Sequence, residues 1–231
     1  RRHAISARHR PSCAALIQLM LNDFPGPHPV QFQGKAWACK ALSWLGWSVH
    51  FDGLPTRQGV AIVYPHTSNW DFVIAMLCKA AMGIEIHFWA KHSLFKIPLF
   101  GNWLARLGGV PIDRHAPGGV VEAAVSRLNQ AQTDQRYEWI GLSPEGTRAY
   151  QPGWRSGFYR LALGAGVPLG VGTLDYGKRE LRLQHFIRLT GDVEHDYDRI
   201  RTIVSTARGY HPMGAAPIRP LNIATTGKEI S

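Results

Sequence analysis

The 231-residue chain reads as an α/β protein with a mixed, largely parallel central sheet flanked by helices. Three observations predict this. From residue 59 to residue 207, short apolar runs alternate with stretches of helical period, the order that builds parallel βαβ units. Apolar residues make up 45% of the chain and charged residues 18%, a globular composition with enough material for one sizeable core. The last two apolar runs are joined only by a turn containing Gly177, which predicts a hairpin and hence a mixed edge.

Taken in order, "KAWACKALSWLGW" (35–47) sets Trp37, Ala41, Trp44, Leu45 and Trp47 near one helical face, with Lys35 and Lys40 beside it. Such a helix either packs on its own core or lies flat in a membrane interface. "GVAIVYP" (59–65) reads as a buried strand and "NWDFVIAMLCKAAMG" (69–83) as a helix stopped by Gly83. A strand at 84–90, an irregular or helical segment at 96–108, a short strand at 109–113 and a helix at 118–132 follow. Then come a strand at 137–143, a helix at 154–166, strands at 167–176 and 180–190, and an amphipathic helix at 193–207.

Residues 1–35 read as a basic arm or a leader, carrying Arg1, Arg2, Arg8 and Arg10 with no acid before Asp23. Residues 36–210 form the expected domain, and 211–231, rich in Pro and Gly, an irregular tail. The net charge of +10 points to an acidic partner: nucleic acid, anionic headgroups, a phosphorylated small molecule or an acidic carrier protein. Cys13, Cys39 and Cys78 stand in no metal-ligand spacing and make no disulfide framework, which suits a reducing compartment. No apolar run of about 18 residues predicts a transmembrane helix.

Two strand-to-helix junctions carry chemistry-bearing side chains, the place where α/β sheets concentrate function. In "PHTSNWDF" (65–72), Thr67 and Ser68 are good N-cap residues, and Asp71 stands three after Ser68. One reading is a capping box that stabilises a helix start. The other pairs Asp71 with His66, fixing the imidazole tautomer so that its free nitrogen takes a proton. In "LSPEGTRAY" (142–150), Pro144 and Gly146 shape a turn that offers the Thr147 hydroxyl and the Arg148 guanidinium, a combination suited to a phosphate or to a plain solvated turn. Arg114, at the end of "LGGVPIDR" (107–114), and Lys91, at the end of its strand, add cations that make an anion site if their strands are neighbours.

Competing chemistries fit less well. "GLSPEG" (141–146) has one residue too many for a G-x-S-x-G elbow, and "GAGVPLG" (164–170) misses the dinucleotide spacing. A metal-dependent hydrolase on His66, Asp71, His87 and His92 would lack any known ligand motif. A lipid- or nucleic-acid-binding module accounts for the charge but not for His66 and Asp71 accompanying the 144–148 block.

In this order, "HTSNWD" (66–71), "GGVPIDR" (108–114), "PEGTR" (144–148) and "VPLGV" (167–171) resemble the four blocks of the glycerolipid acyltransferase family, which includes the 1-acylglycerol-3-phosphate acyltransferases. The resemblance covers about residues 36–190 and implies a glycerol-3-phosphate acyltransferase-like fold. It implies His66 as general base and Asp71 as its orienting partner. Arg114, Glu145, Gly146, Thr147 and Arg148 would bind the acceptor, and Val167 and Pro168 would shape the acyl or donor pocket. The implied reaction moves a fatty acyl group from acyl-CoA or acyl carrier protein to a lysophospholipid hydroxyl, with neither metal nor cofactor. The implied setting is peripheral, on the cytoplasmic face of a membrane that holds the acceptor, with no nucleic acid involved. Pro65, Ser143 and Gly170 depart from the family pattern. They leave the acceptor open between lysophosphatidate and another lyso-lipid.

Overall fold

A computed structural model describes residues 22–112 and 119–221. In chain order the elements are α1 (Ala36–Trp44), β1 (Ser48–Phe51), β2 (Gln58–Tyr64), α2 (Asn69–Met82), β3 (Ile86–Lys91), α3 (His92–Phe95) and α4 (Phe100–Arg106). They continue with β4 (Gly109–Ile112), α5 (Val120–Thr133), β5 (Glu138–Leu142), α6 (Gly157–Ala165), β6 (Leu169–Asp175), β7 (Glu180–Ile187), α7 (Val193–Val204) and a 3₁₀ turn at Pro212–Gly214.

The seven strands form one sheet in the order β1-β7-β6-β2-β5-β3-β4. Every neighbouring pair is parallel except β6 with β7. The expected hairpin is therefore present but is not an edge. The strand β1, too short and polar to stand out in the sequence, pairs with β7 and takes the outer place.

The core lies on both faces of the sheet. Along β2, Val60, Ile62 and Tyr64 enter one cluster with residues of α5, α6 and α7. Ala61 enters the other, with Leu42 of α1 and Ile74, Cys78 and Met82 of α2. Alternating side chains of one strand thus feed opposite layers, which is why the central strand reads as a continuous apolar run. Helix α2 ends where Gly83 takes a left-handed conformation, φ 74°. A Cβ there would stand 2.4 Å from the carbonyl oxygen of Gln33, so only glycine fits.

Three sequence expectations are corrected here. Helix α1 buries Ala38 and Leu42 and ends at Trp44, so Trp37 and Trp44 face outward and Trp47 lies beyond the helix, its ring 4.9 Å from that of Tyr176. Within the expected 1–35 arm, residues 22–35 are packed: His28 is buried, Val30 bridges Leu54, and Asn22 bonds the backbone of Phe186. Within the expected 211–231 tail, the stretch up to residue 221 is held in place. Ala216 is buried, and Trp154 exchanges backbone hydrogen bonds with Arg219 and Leu221. Leader and basic-arm readings of residues 1–21 lie outside the described residues.

Candidate active site

In a parallel sheet the C-terminal strand ends share one side, and here that side carries the "HTSNWD" and "PEGTR" segments. His66 follows β2, and Glu145 follows the neighbouring β5. Ser68 caps α2: its hydroxyl accepts from the Trp70 N–H at 3.2 Å, and its own N–H donates to Asp71 Oδ2 at 2.8 Å. The Thr67 N–H donates to the same oxygen at 2.6 Å. His66 Nδ1 also lies 3.2 Å from Asp71 Oδ2, with the Asp71 side chain 3% exposed and that of His66 27%. One carboxylate therefore meets both the helix cap and the imidazole, so the geometry of the capping box and that of the His–Asp pair coexist.

Asp71 stays ionised in a buried place. Desolvation is the largest single influence and pushes its pKa up, yet the bonds from His66, Ser68, Tyr176 and Thr67 outweigh it and hold the pKa below the ordinary carboxylate value. An ionised Asp71 accepts, so His66 carries its proton on Nδ1 and leaves Nε2 with a free lone pair. Tyr176, from the turn after β6, was invisible as a site residue because nothing near it in sequence belongs to a motif. Its buried hydroxyl faces the Asp71 carboxyl, the contact that helps to hold that group ionised.

Glu145, which the family resemblance assigns to acceptor binding, acts in this structure as a brace. Its side chain is buried, Oε2 accepts from the His66 N–H at 2.5 Å, and Oε1 accepts from the Ala216 N–H at 3.0 Å. Each oxygen thus takes one backbone donor, one from the segment after β2 and one from the segment after α7. Burial lifts its pKa to about 7, against the pull of those two donors and of His66. The segment after α7 completes this arrangement: the Tyr64 hydroxyl donates to the Ala216 carbonyl at 3.0 Å, and the His211 N–H donates to Thr67 Oγ1 at 3.0 Å.

The remaining expected residues divide. Gly146 takes the left-handed conformation, φ 66°, that turns the loop, with the Arg155 side chain packed against it. Thr147 Oγ1 accepts from the Ala149 N–H at 3.3 Å and so shapes the loop as well. Arg148 is exposed, and its Nη1 donates to Asn69 Oδ1, which holds the guanidinium at the first residue of α2. Lys91 ends β3 level with Tyr64, because Phe88 pairs with Gly141 and Gly141 with Ala61; two strand spacings, about 10 Å, separate them. Arg114 lies outside the described residues.

Val167 and Pro168 do not line this site. Leu169 pairs with Val60, so Pro168 is level with Gly59 and the length of β2, about 20 Å, separates it from His66. Both residues are buried. Gly170 has a packing reason of its own: a Cβ there would stand 3.0 Å from the Phe186 ring and 3.2 Å from Leu183. The set His66, Asp71, His87 and His92 is not a unit either. His87 Nδ1 is 2.9 Å from Glu138 Oε1, and Arg127 meets the same carboxylate near the opposite ends of the strands.

Comparison with known proteins agrees with the four blocks. The pattern that defines the family described as Acyltransferase matches residues 47–170, more than half of the chain. A 1-acyl-sn-glycerol-3-phosphate acyltransferase of Bacillus subtilis (strain 168) is 31% identical over 98 residues, which cover 42% of this chain and 45% of that protein. The match thus spans less than half of the relative's length. The crystal structure of the 1-acyl-sn-glycerophosphate (LPA) acyltransferase PlsC from Thermotoga maritima is similar at a TM-score of 0.49 and 20% identity, over 72% of this chain and 73% of that one.

Proposed function

We propose that this chain, which belongs to the acyltransferase family, transfers a fatty acyl group from an acyl thioester to the hydroxyl of a lysophospholipid such as 1-acylglycerol-3-phosphate, with His66 as general base. The observation that carries the reading is the 3.2 Å contact between His66 Nδ1 and a buried, ionised Asp71, which leaves Nε2 as the acceptor nitrogen of a partly exposed imidazole. Nε2 takes the hydroxyl proton as the oxygen attacks the thioester carbonyl carbon. The tetrahedral adduct then expels the thiolate, which takes the proton back from the imidazolium and leaves as a thiol. The thioester is already activated, so the steps need no covalent serine and no metal. A base of this kind supplies about 10²–10⁴-fold, with positioning of the two substrates adding the rest.

Arg148, held by Asn69 at the first turn of α2, is the group for the acceptor phosphate, because a guanidinium grips phosphate in a bidentate way. Lys91, at the same end of the sheet, adds a further cation. A donor rich in phosphate, coenzyme A, and an acidic acyl carrier protein both suit a chain of net charge +10. The acceptor is a membrane lipid, and the enzyme meets it peripherally on the cytoplasmic face.

Purified protein given labelled acyl thioester and a panel of lysolipids tests the reading. His66→Ala abolishes nearly all turnover while far-UV circular dichroism stays unchanged; unchanged turnover refutes His66 as the base. Arg148→Ala raises KM for a phosphorylated acceptor more than it lowers kcat. An unmoved KM removes Arg148 from the acceptor phosphate.

A further inference from the structure

Between β3 and β4 the chain leaves its apolar side chains in solvent. Helix α3 buries no residue, and α4 buries only Gly101 and Leu104. Ile97, Leu99, Phe100 and Trp103 are all exposed, Leu99 at 85%. The Leu99 backbone is itself unusual: φ is 63° and ψ −47°, and the Phe100 N–H donates to the Pro98 carbonyl at 2.7 Å. This is the positive-φ γ-turn, a rare and strained conformation for a residue with a Cβ. The Leu99 carbonyl accepts the Trp103 N–H at the start of α4, but the side chain is presented to water.

The surroundings of this apolar tip are of one sign. Between Glu85 and Asp113 the chain has no acid at all, while Lys91, Lys96 and Arg106 lie within that stretch. Neither Lys96 nor Arg106 forms an ion pair among the described residues. The patch also reaches the candidate site. The Trp103 ring lies 6.3 Å from that of Phe72, and Phe72 is the next residue after Asp71.

We infer that the α3–α4 segment, with Leu99 at its tip, is the surface by which this protein docks on an anionic lipid bilayer. Ile97, Leu99, Phe100 and Trp103 enter the headgroup layer, and Lys96 and Arg106 meet lipid phosphates. The proposal rests on the reading that the acceptor is a membrane lipid and adds where the enzyme meets it. An acidic protein partner would satisfy the cations but leave four apolar side chains unmatched. A bilayer interface takes both.

The test is sedimentation of the full chain with vesicles of phosphatidylcholine alone and of phosphatidylcholine mixed with phosphatidylglycerol. The wild-type protein binds the mixed vesicles far more tightly. The double variant Lys96→Ala, Arg106→Ala loses roughly thirtyfold in partitioning, as expected for two cations near an anionic surface. Leu99→Asp loses at least tenfold, and its turnover on a water-soluble short-chain lysophospholipid is unchanged. Leu99→Gly separates docking from folding: glycine suits the positive φ, so the melting temperature rises while vesicle binding falls. A fall in both means that Leu99 has a structural role and overturns the proposal. So does vesicle binding that survives the Leu99 and Lys96/Arg106 changes and is lost only with Trp37→Ala and Trp44→Ala. Dissociation of a dimer by Leu99→Asp with vesicle binding intact assigns the patch to a second copy instead. Vesicle binding is read without acyl transfer, so loss of the catalytic reading leaves this result standing on its own.

Discussion

At Asp71 one side chain holds a helix start and an imidazole together, and the two duties separate by substitution. Asp71→Asn keeps a carbonyl oxygen for the Thr67 and Ser68 N–H groups, so thermal stability changes by less than about 1 kcal/mol. The same oxygen faces His66 Nδ1, so the tautomer is kept and what is lost is the negative charge that stabilises the imidazolium once Nε2 has taken a proton. Turnover falls about 10²–10⁴-fold, measurable in steady state beside a melting curve. A large loss of stability with little loss of turnover would leave capping as the only role. Glu145 makes a pH-dependent contribution of the opposite sign to most carboxylates. Its native pKa of about 7 lies above its ordinary 4.5, so the folded state binds that proton more tightly. The stabilisation is fully present below the unfolded value and is lost as pH rises through 7. Between pH ~5 and ~8, the unfolding free energy of the wild type falls relative to Glu145→Gln by roughly 1–3 kcal/mol in denaturant titrations. Parallel curves for the two proteins would mean that Glu145 is ionised throughout.

Among the elements, the segment after α7 has the least regular structure and the most direct hold on the site. Gly209 packs so closely on Thr67 that a Cβ would stand 2.8 Å from Thr67 Oγ1 and 3.1 Å from its Cγ2. Gly209→Ala costs about 1–3 kcal/mol and lowers turnover, because it pushes the segment away from the bond between His211 and Thr67. Thr67→Ala in the same chain restores part of the stability, since it removes both opposing atoms; a thermal-melt double-mutant cycle reads that coupling. Additive effects would place the strain elsewhere. This dependence also marks what was legible in the sequence. Strands β2, β5 and β6 stood out as short apolar runs between helical stretches, and α2 as a capped, periodic stretch with a glycine stop. That His66, Asp71 and Arg148 come together was legible because their motifs sit at strand ends, where topology alone makes them neighbours. Residues 22–35 and 208–221 hold on through single side-chain and backbone contacts that leave no period to read. Block order along the chain does not say which end of a strand Val167 and Pro168 occupy. Parallel register decides that, and it puts them at the far end.

For the whole molecule, net charge sets how substrates arrive. At +10, with the cation-only stretch between Glu85 and Asp113, the protein attracts anions over distances that salt screens. Between ~0.05 and ~0.5 M salt, kcat/KM for a phosphorylated lysolipid falls several-fold, whereas kcat at saturation holds. An equal fall for a zwitterionic acceptor would assign the effect to stability and not to attraction. Among the described residues no helix is long and apolar enough to cross a membrane. The double grip of Glu145 has a last consequence, in time. Its two backbone partners lie 79 residues before it and 71 residues after it, and the Thr67–His211 link spans 144. On a ribosome the His66 backbone therefore waits, without its brace, until Ala216 emerges. Contacts of such long sequence separation close late, so in refolding followed by stopped flow the native sheet signal precedes the return of turnover.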